Sequence, residues 1–107
     1  MTDKSLLKIE KQIDKIKQDL LNIGEMRPGS LTRQYKNPRK KAGGFYQLSY
    51  THKNQSKTEY VRARYVEDLK QQINAYKRFK ELVQEWIDLA IEYSKMKMER
   101  ANQGKLK

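Results

Sequence analysis

The chain has 107 residues, with 24 Lys/Arg against 13 Asp/Glu, a formal net charge of +11 and a mean hydropathy of −1.06. Only 36% of it is apolar, too little for a large compact core, so a single elongated domain (1–107) that completes its burial by oligomerising is expected. It holds no cysteine, which excludes disulfides and thiolate metal sites. Its one histidine, His52, is a poor start for an imidazole metal centre, so no metal or other cofactor is expected.

The charge is not spread evenly. Residues 27–64 carry ten Lys/Arg against one acid, Glu59, whereas residues 1–26 balance to zero and residues 65–107 to +2. Random excess would load the flanking segments too. A basic segment threaded with aromatic side chains (Tyr35, Phe45, Tyr46, Tyr50, Tyr60) points to a polyanionic partner. The N-terminus alternates charged and apolar residues rather than forming the apolar core of a signal peptide, and no run approaches a membrane span. A soluble, cytoplasmic protein is expected.

In chain order, Leu6, Ile9, Ile13, Ile16, Leu20 and Ile23 repeat every three or four residues. This is a heptad seam that predicts a helix over 3–23, with Thr2 or Asp3 as N-cap and Gly24 as the closing glycine. Such a stripe needs a partner helix. Arg27-Pro28-Gly29-Ser30 is turn chemistry. Ser30–Lys36 then reads as a short strand, with Leu31, Arg33 and Tyr35 on one face and Thr32 and Gln34 on the other. Asn37-Pro38 stops it, and Arg39 to Gly44 reads as a flexible basic loop.

Residues 45–63 alternate as a β-hairpin with a polar turn at 52–56, and its Tyr46/Leu48/Tyr50 side is the one expected to rest on a helix. The outer side then holds Gln47, Ser49 and Thr51. Residues 65–101 contain no Pro or Gly and predict one long helix, with Leu69, Ile73, Tyr76, Phe79, Val83, Trp86, Ala90 and Tyr93 as seam and residues 102–107 frayed. A second line through Leu82, Ile87, Leu89 and Ile91 suggests a further neighbour. Leu82, Trp86, Leu89 and Tyr93 are the expected oligomer or partner interface. The fold class is α+β: a heptad helix, a small antiparallel hairpin or three-stranded sheet insert over 27–64, and a long helix that pairs with the first as a coiled-coil-like hairpin.

No catalytic constellation can be assembled. There is no nucleophile motif or phosphate-binding glycine loop, and most carboxylates alternate with lysines on the helices, so no enzyme is expected. Glu59 reads as a cross-strand partner for an arginine, and His52 as a turn residue or phosphate contact. The expected contacts to nucleic acid are Arg27, Arg33, Lys36, Arg39, Lys40, Lys41, Lys53, Lys57, Arg62 and Arg64, with Tyr35 and Tyr60 open between base stacking and core; Tyr46 and Tyr50 read as core. On a small sheet most of these cations would lie within about 20 Å of one another. A DNA-binding protein, dimeric or higher, is the leading expectation. A coiled-coil adaptor binding a protein partner and an RNA-binding accessory protein are the alternatives; membrane binding is the weakest, because the helices are near charge balance.

The stretches MRPGSLTRQY, GGFYQLSYTHKNQSKTEYV and AYKRFKELVQEWIDLAIE resemble a family of short, uncharacterised prokaryotic proteins carrying a domain of unknown function. The resemblance runs from about Ile13 to Met98. It implies a leading heptad helix, an Arg-Pro-Gly-Ser-Leu turn, an aromatic hairpin and a long helix, in proteins sometimes described as transposase-like or encoded near mobile elements. Many relatives carry cysteines, and with them a metal-stapled loop, where this chain has Lys36 to Ala42, so that role does not transfer. The strand-then-helix order also resembles the three-stranded DNA-binding arms of some integrases, on architecture alone.

Overall fold

A computed structural model describes residues 3–37, 39 and 42–105. Its elements are helix α1 (Asp3–Leu21), strands β1 (Ser30–Asn37), β2 (Ala42–His52) and β3 (Gln55–Val61), a 3-10 turn (Ala63–Tyr65) and helix α2 (Val66–Lys105). This is the expected α+β order. The contacts group the chain into two compact units: a helical unit of residues 3–23 with 78–105, and a sheet unit of residues 24–77.

In the helical unit the heptad seam does what its spacing requires. Leu6, Ile9 and Ile16 are buried and Ile13, Leu20 and Ile23 half-buried. Leu6 and Ile9 meet Met96, with Ile13, Leu89 and Tyr93 packed around them. Asp19, near the other end of α1, faces Arg78 at 3.8 Å, so the pairing is antiparallel. The α2 seam differs from the expected one. It runs through Leu82, Trp86, Leu89, Tyr93 and Met96, while Ala90 is exposed. Leu82 and Leu89 come from the second expected line and Trp86 and Tyr93 from the first, and Val83 is half-buried beside them. Ile87 and Ile91 face solvent. Gly24 is not the closing glycine, since its φ is not positive. Instead α1 ends on tightened bonds, with Asn22 N–H donating to both Gln18 and Asp19 carbonyls at 3.2 Å and Ile23 N–H to Leu20. Of the two proposed N-caps, Thr2 and the Asp3 side chain lie outside the described residues. At the other end, α2 continues through Ala101 to Lys105 where fraying was expected; residues 106 and 107 lie outside the described part.

In the sheet unit the strands form an antiparallel meander in the order β1-β2-β3. Leu31, Leu48 and Glu59 share one row across it. Leu48 is fully buried, at 0% exposure, and packs with Val61, Val66 and Ile73, flanked by Leu31, Tyr46, Tyr50 and Leu69. Burying a leucine this completely contributes roughly 1.5–3 kcal/mol. It also answers the weakness of a lone hairpin, since a third strand and the first turns of α2 cover one side. Gly43 and Gly44, expected in a flexible loop, belong to β2 and continue its pairing. The β2–β3 connection is only Lys53-Asn54, both at positive φ (52° and 63°), the two-residue turn whose twist matches a hairpin.

Candidate nucleic-acid interface

Side chains opposite one another in an antiparallel ladder point to the same side. The register therefore assigns Leu31, Arg33, Tyr35, Tyr46, Leu48, Tyr50, Lys57, Glu59 and Val61 to the helix-bearing side. The outer side holds Ser30, Thr32, Gln34, Phe45, Gln47, Ser49, Thr51, Ser56, Thr58 and Tyr60, none of them charged. Hydroxyls and carboxamides dominate it, and Gln34 Nε2 already donates to Thr32 Oγ1 at 3.4 Å. Lys36 continues the outer line beyond Gln34.

The sheet unit carries twelve Lys/Arg against four acids, a balance of +8, and the helical unit +3. Within the sheet unit the cations fall into two groups rather than one patch. Lys36, Arg39 and Arg62 lie toward the β1–β2 loop, because Lys36 falls between the paired rows 35/44 and 37/42 and Arg62 follows Val61, the partner of Tyr46. Lys53 and Lys57 lie toward the β2–β3 turn, beside His52. The nine residues of β2 separating Gly43 from His52 span about 30 Å at ~3.3 Å each, so the expected 20 Å cluster is replaced by a positive charge at each end of an uncharged surface. Extended backbone cannot bring the ends closer. Lys40 and Lys41 lie outside the described residues.

Three arginines of the expected set are already engaged. Arg27 pairs with Glu59 and lies over the Tyr50 ring at 4.9 Å, while its N–H donates to the Gln72 carbonyl at 3.0 Å. It ties the entry of β1 to β3 and to α2. Arg27 is thus a structural residue, and Glu59 finds its arginine there rather than across the strands. Arg33 lies across Gly44, between the rings of Tyr35 (5.4 Å) and Tyr46 (5.6 Å). A Cβ at Gly44 would come within 2.9 Å of its guanidinium, so the glycine is what admits it. Two rings hold this guanidinium in place while the residue stays exposed. Arg64 lies over Tyr65 at 4.9 Å. Tyr46 and Tyr50 belong to the core, as expected, and Tyr35 is half-buried beside Arg33. Tyr60 is 69% exposed and meets Phe45 on the outer side, with ring centroids 6.2 Å apart. Phe45 was missed as a site residue; its alternation with Tyr46 was the available signal, since the expected inner side leaves Phe45 outside.

The expected partner surface at Leu82, Trp86, Leu89 and Tyr93 is corrected. Leu82 is 1% exposed, Leu89 and Tyr93 pack against α1, and Trp86 is half-buried with Lys17 Nζ 5.4 Å from its ring. These side chains already serve the intrachain pair. The Tyr93 hydroxyl donates to Glu10 Oε1 at 2.5 Å, which raises the tyrosine pKa above its ordinary value, with burial and the Glu10 charge adding to the effect. The apolar side chains left outward on this part of α2 are Ile87, Ile91 and Met98. Among the described residues no cluster of His, Asp and Glu could hold a metal ion, and no helix is long and apolar enough to cross a membrane. Compared with models of protein families, with curated proteins and with solved structures, the chain matches none.

Proposed function

We propose that the sheet unit binds DNA inside the cell, as a binding protein rather than an enzyme. The observation that carries this reading is the placement of cations at both ends of an uncharged, hydroxyl- and carboxamide-rich sheet surface. Phosphate contacts position a protein on DNA, and neutral polar groups read base edges. The separation of about 30 Å is close to the ~34 Å of one duplex turn. Three strands spaced by ~4.8 Å are about 10 Å across, against a major groove about 12 Å wide. Lys36, Arg39 and Arg62 then meet phosphates at one end and Lys53, in the β2–β3 turn, at the other, while Gln34 and Gln47 face the bases; Lys57 points to the helix-bearing side and leaves the set. The mobile-element setting implied by the family resemblance accords with such a role.

Fluorescence anisotropy on a labelled duplex over a salt series tests the reading. Arg39→Ala and Lys53→Ala, one from each end, are each expected to flatten the log–log salt slope by about 0.9. No binding at low salt, or a slope unaltered by both substitutions, would sink the proposal. Binding confined to RNA probes would replace DNA by RNA as the partner.

A further inference from the structure

Beside the β1–β2 loop, the outer side of the sheet is dished. Lys36, Gly43, Gly44, Phe45 and Tyr60 line an open trough of about 420 Å³. Gly43 faces this outer side and forms the floor together with the Lys36 stem that lies against it, while the bare side of Gly44 faces Arg33 on the other side of the sheet. Gly43 is held there by its conformation, at φ +67°, and by the Lys36 stem, which a Cβ would meet at 3.1 Å. The wall is the Phe45–Tyr60 pair, inclined by 31°. Among the described residues no acidic side chain lines the trough.

The packing of the sheet explains the inner aromatics, Tyr46 and Tyr50, but not these two. As a diagonal cross-strand pair they stabilise the strands by roughly 0.2–1 kcal/mol, a role that two β-branched residues would fill without leaving a tyrosine ring 69% exposed. An exposed ring, an open trough beside it and an ammonium group on one rim match the parts of a nucleotide: a flat π-face to stack on, room for the base, and a counter-charge for its phosphate. We propose that this trough receives a single unpaired base, stacked on Tyr60 and Phe45 with its phosphate at Lys36.

The inference rests on the nucleic-acid reading above and narrows it, because a base inside an intact duplex cannot reach a ring. An unpaired base enters with the smallest unstacking cost. The preferred ligand is therefore DNA with an unpaired nucleotide beside a duplex segment.

The 107-residue chain is titrated with a duplex bearing one unpaired thymine and with the same duplex bearing an abasic residue there. The unaltered protein is expected to prefer the thymine probe by roughly 5- to 150-fold, the range of one base–aromatic stack. Tyr60→Ile, which keeps strand preference and bulk but has no π-face, is expected to lose that preference while the salt slope stays the same. Tyr60→Phe should retain it. Equal affinity for the two probes, or equal weakening of both by Tyr60→Ile, would overturn the stacking site while leaving salt-dependent duplex binding in place. Absence of binding to every probe at low salt would remove the nucleic-acid reading and this inference together.

Discussion

Gly29 and Gly24 lie five residues apart on the path into β1, and the same substitution at each has opposite expected consequences. Gly29 adopts φ +148°, and a Cβ built there would stand 2.7 Å from Leu48 Cδ1 and 3.3 Å from the Ser49 carbonyl oxygen. Holding an alanine in that backbone region costs about 1–3 kcal/mol. Leu48 is fully buried and has nowhere to move, so overpacking adds a further ~1–3 kcal/mol. Gly29→Ala is therefore expected to destabilise the sheet unit by about 2–6 kcal/mol, a large share of the stability of any small domain. Gly24 has nothing within 4 Å of its built Cβ and no positive φ, so Gly24→Ala should be neutral or stabilising by up to about 1 kcal/mol. Urea unfolding separates the units spectroscopically. Six of the seven tyrosines lie in residues 24–77, and Trp86 lies in the helical unit. The tyrosine near-ultraviolet dichroism should shift its midpoint in Gly29→Ala and hold it in Gly24→Ala. A Gly29→Ala stability within about 0.5 kcal/mol of the unaltered protein would show that the backbone at Gly29 does not press on Leu48 as described.

Two further outcomes follow from the same geometry. Arg27→Ala removes a partly exposed ion pair and a ring contact, so it should destabilise the sheet unit by roughly 1–2 kcal/mol while leaving the salt slope of duplex binding unchanged; a flatter slope at full stability would return Arg27 to the phosphate contacts. Tyr93 has a folded-state pKa raised above its unfolded value, mainly by its hydrogen bond to Glu10, so the stability it contributes is complete below pH about 10 and lost as pH rises through the folded pKa. The stability difference between the unaltered protein and Tyr93→Phe should accordingly be constant below pH 10 and shrink above it in Trp86-monitored unfolding. A difference that shrinks on acidification from pH 9 to pH 7 would contradict the assignment.

Local periodicity and charge were legible in the chain without coordinates. The 3-4 spacing of Leu6 to Ile23 placed α1, and the alternation around Leu48 placed β2 and identified its inner side, whereas Arg27-Pro28-Gly29, expected as a turn, enters β1 without one. Both placements rest on repeats of 3.6 or 2 residues that neighbours in sequence impose on one another. The confinement of basic residues to 27–64 was equally a property of sequence. What needed the tertiary structure was every choice between near-equivalent options. Leu89 rather than the neighbouring Ala90 turned inward because the position of α1 selects among lines that differ by a fraction of a turn. Gly43 and Gly44 joined a strand because β1 pairs with them, a long-range contact that their own flexibility does not announce. Arg27 left the binding set because Glu59, far away in sequence, meets it at the sheet edge. Cations that composition grouped into one basic patch, among them Lys36 and Lys53, were drawn apart to opposite ends of the sheet's uncharged outer side, since extended backbone keeps residues some 3.3 Å apart along each strand whatever their charge.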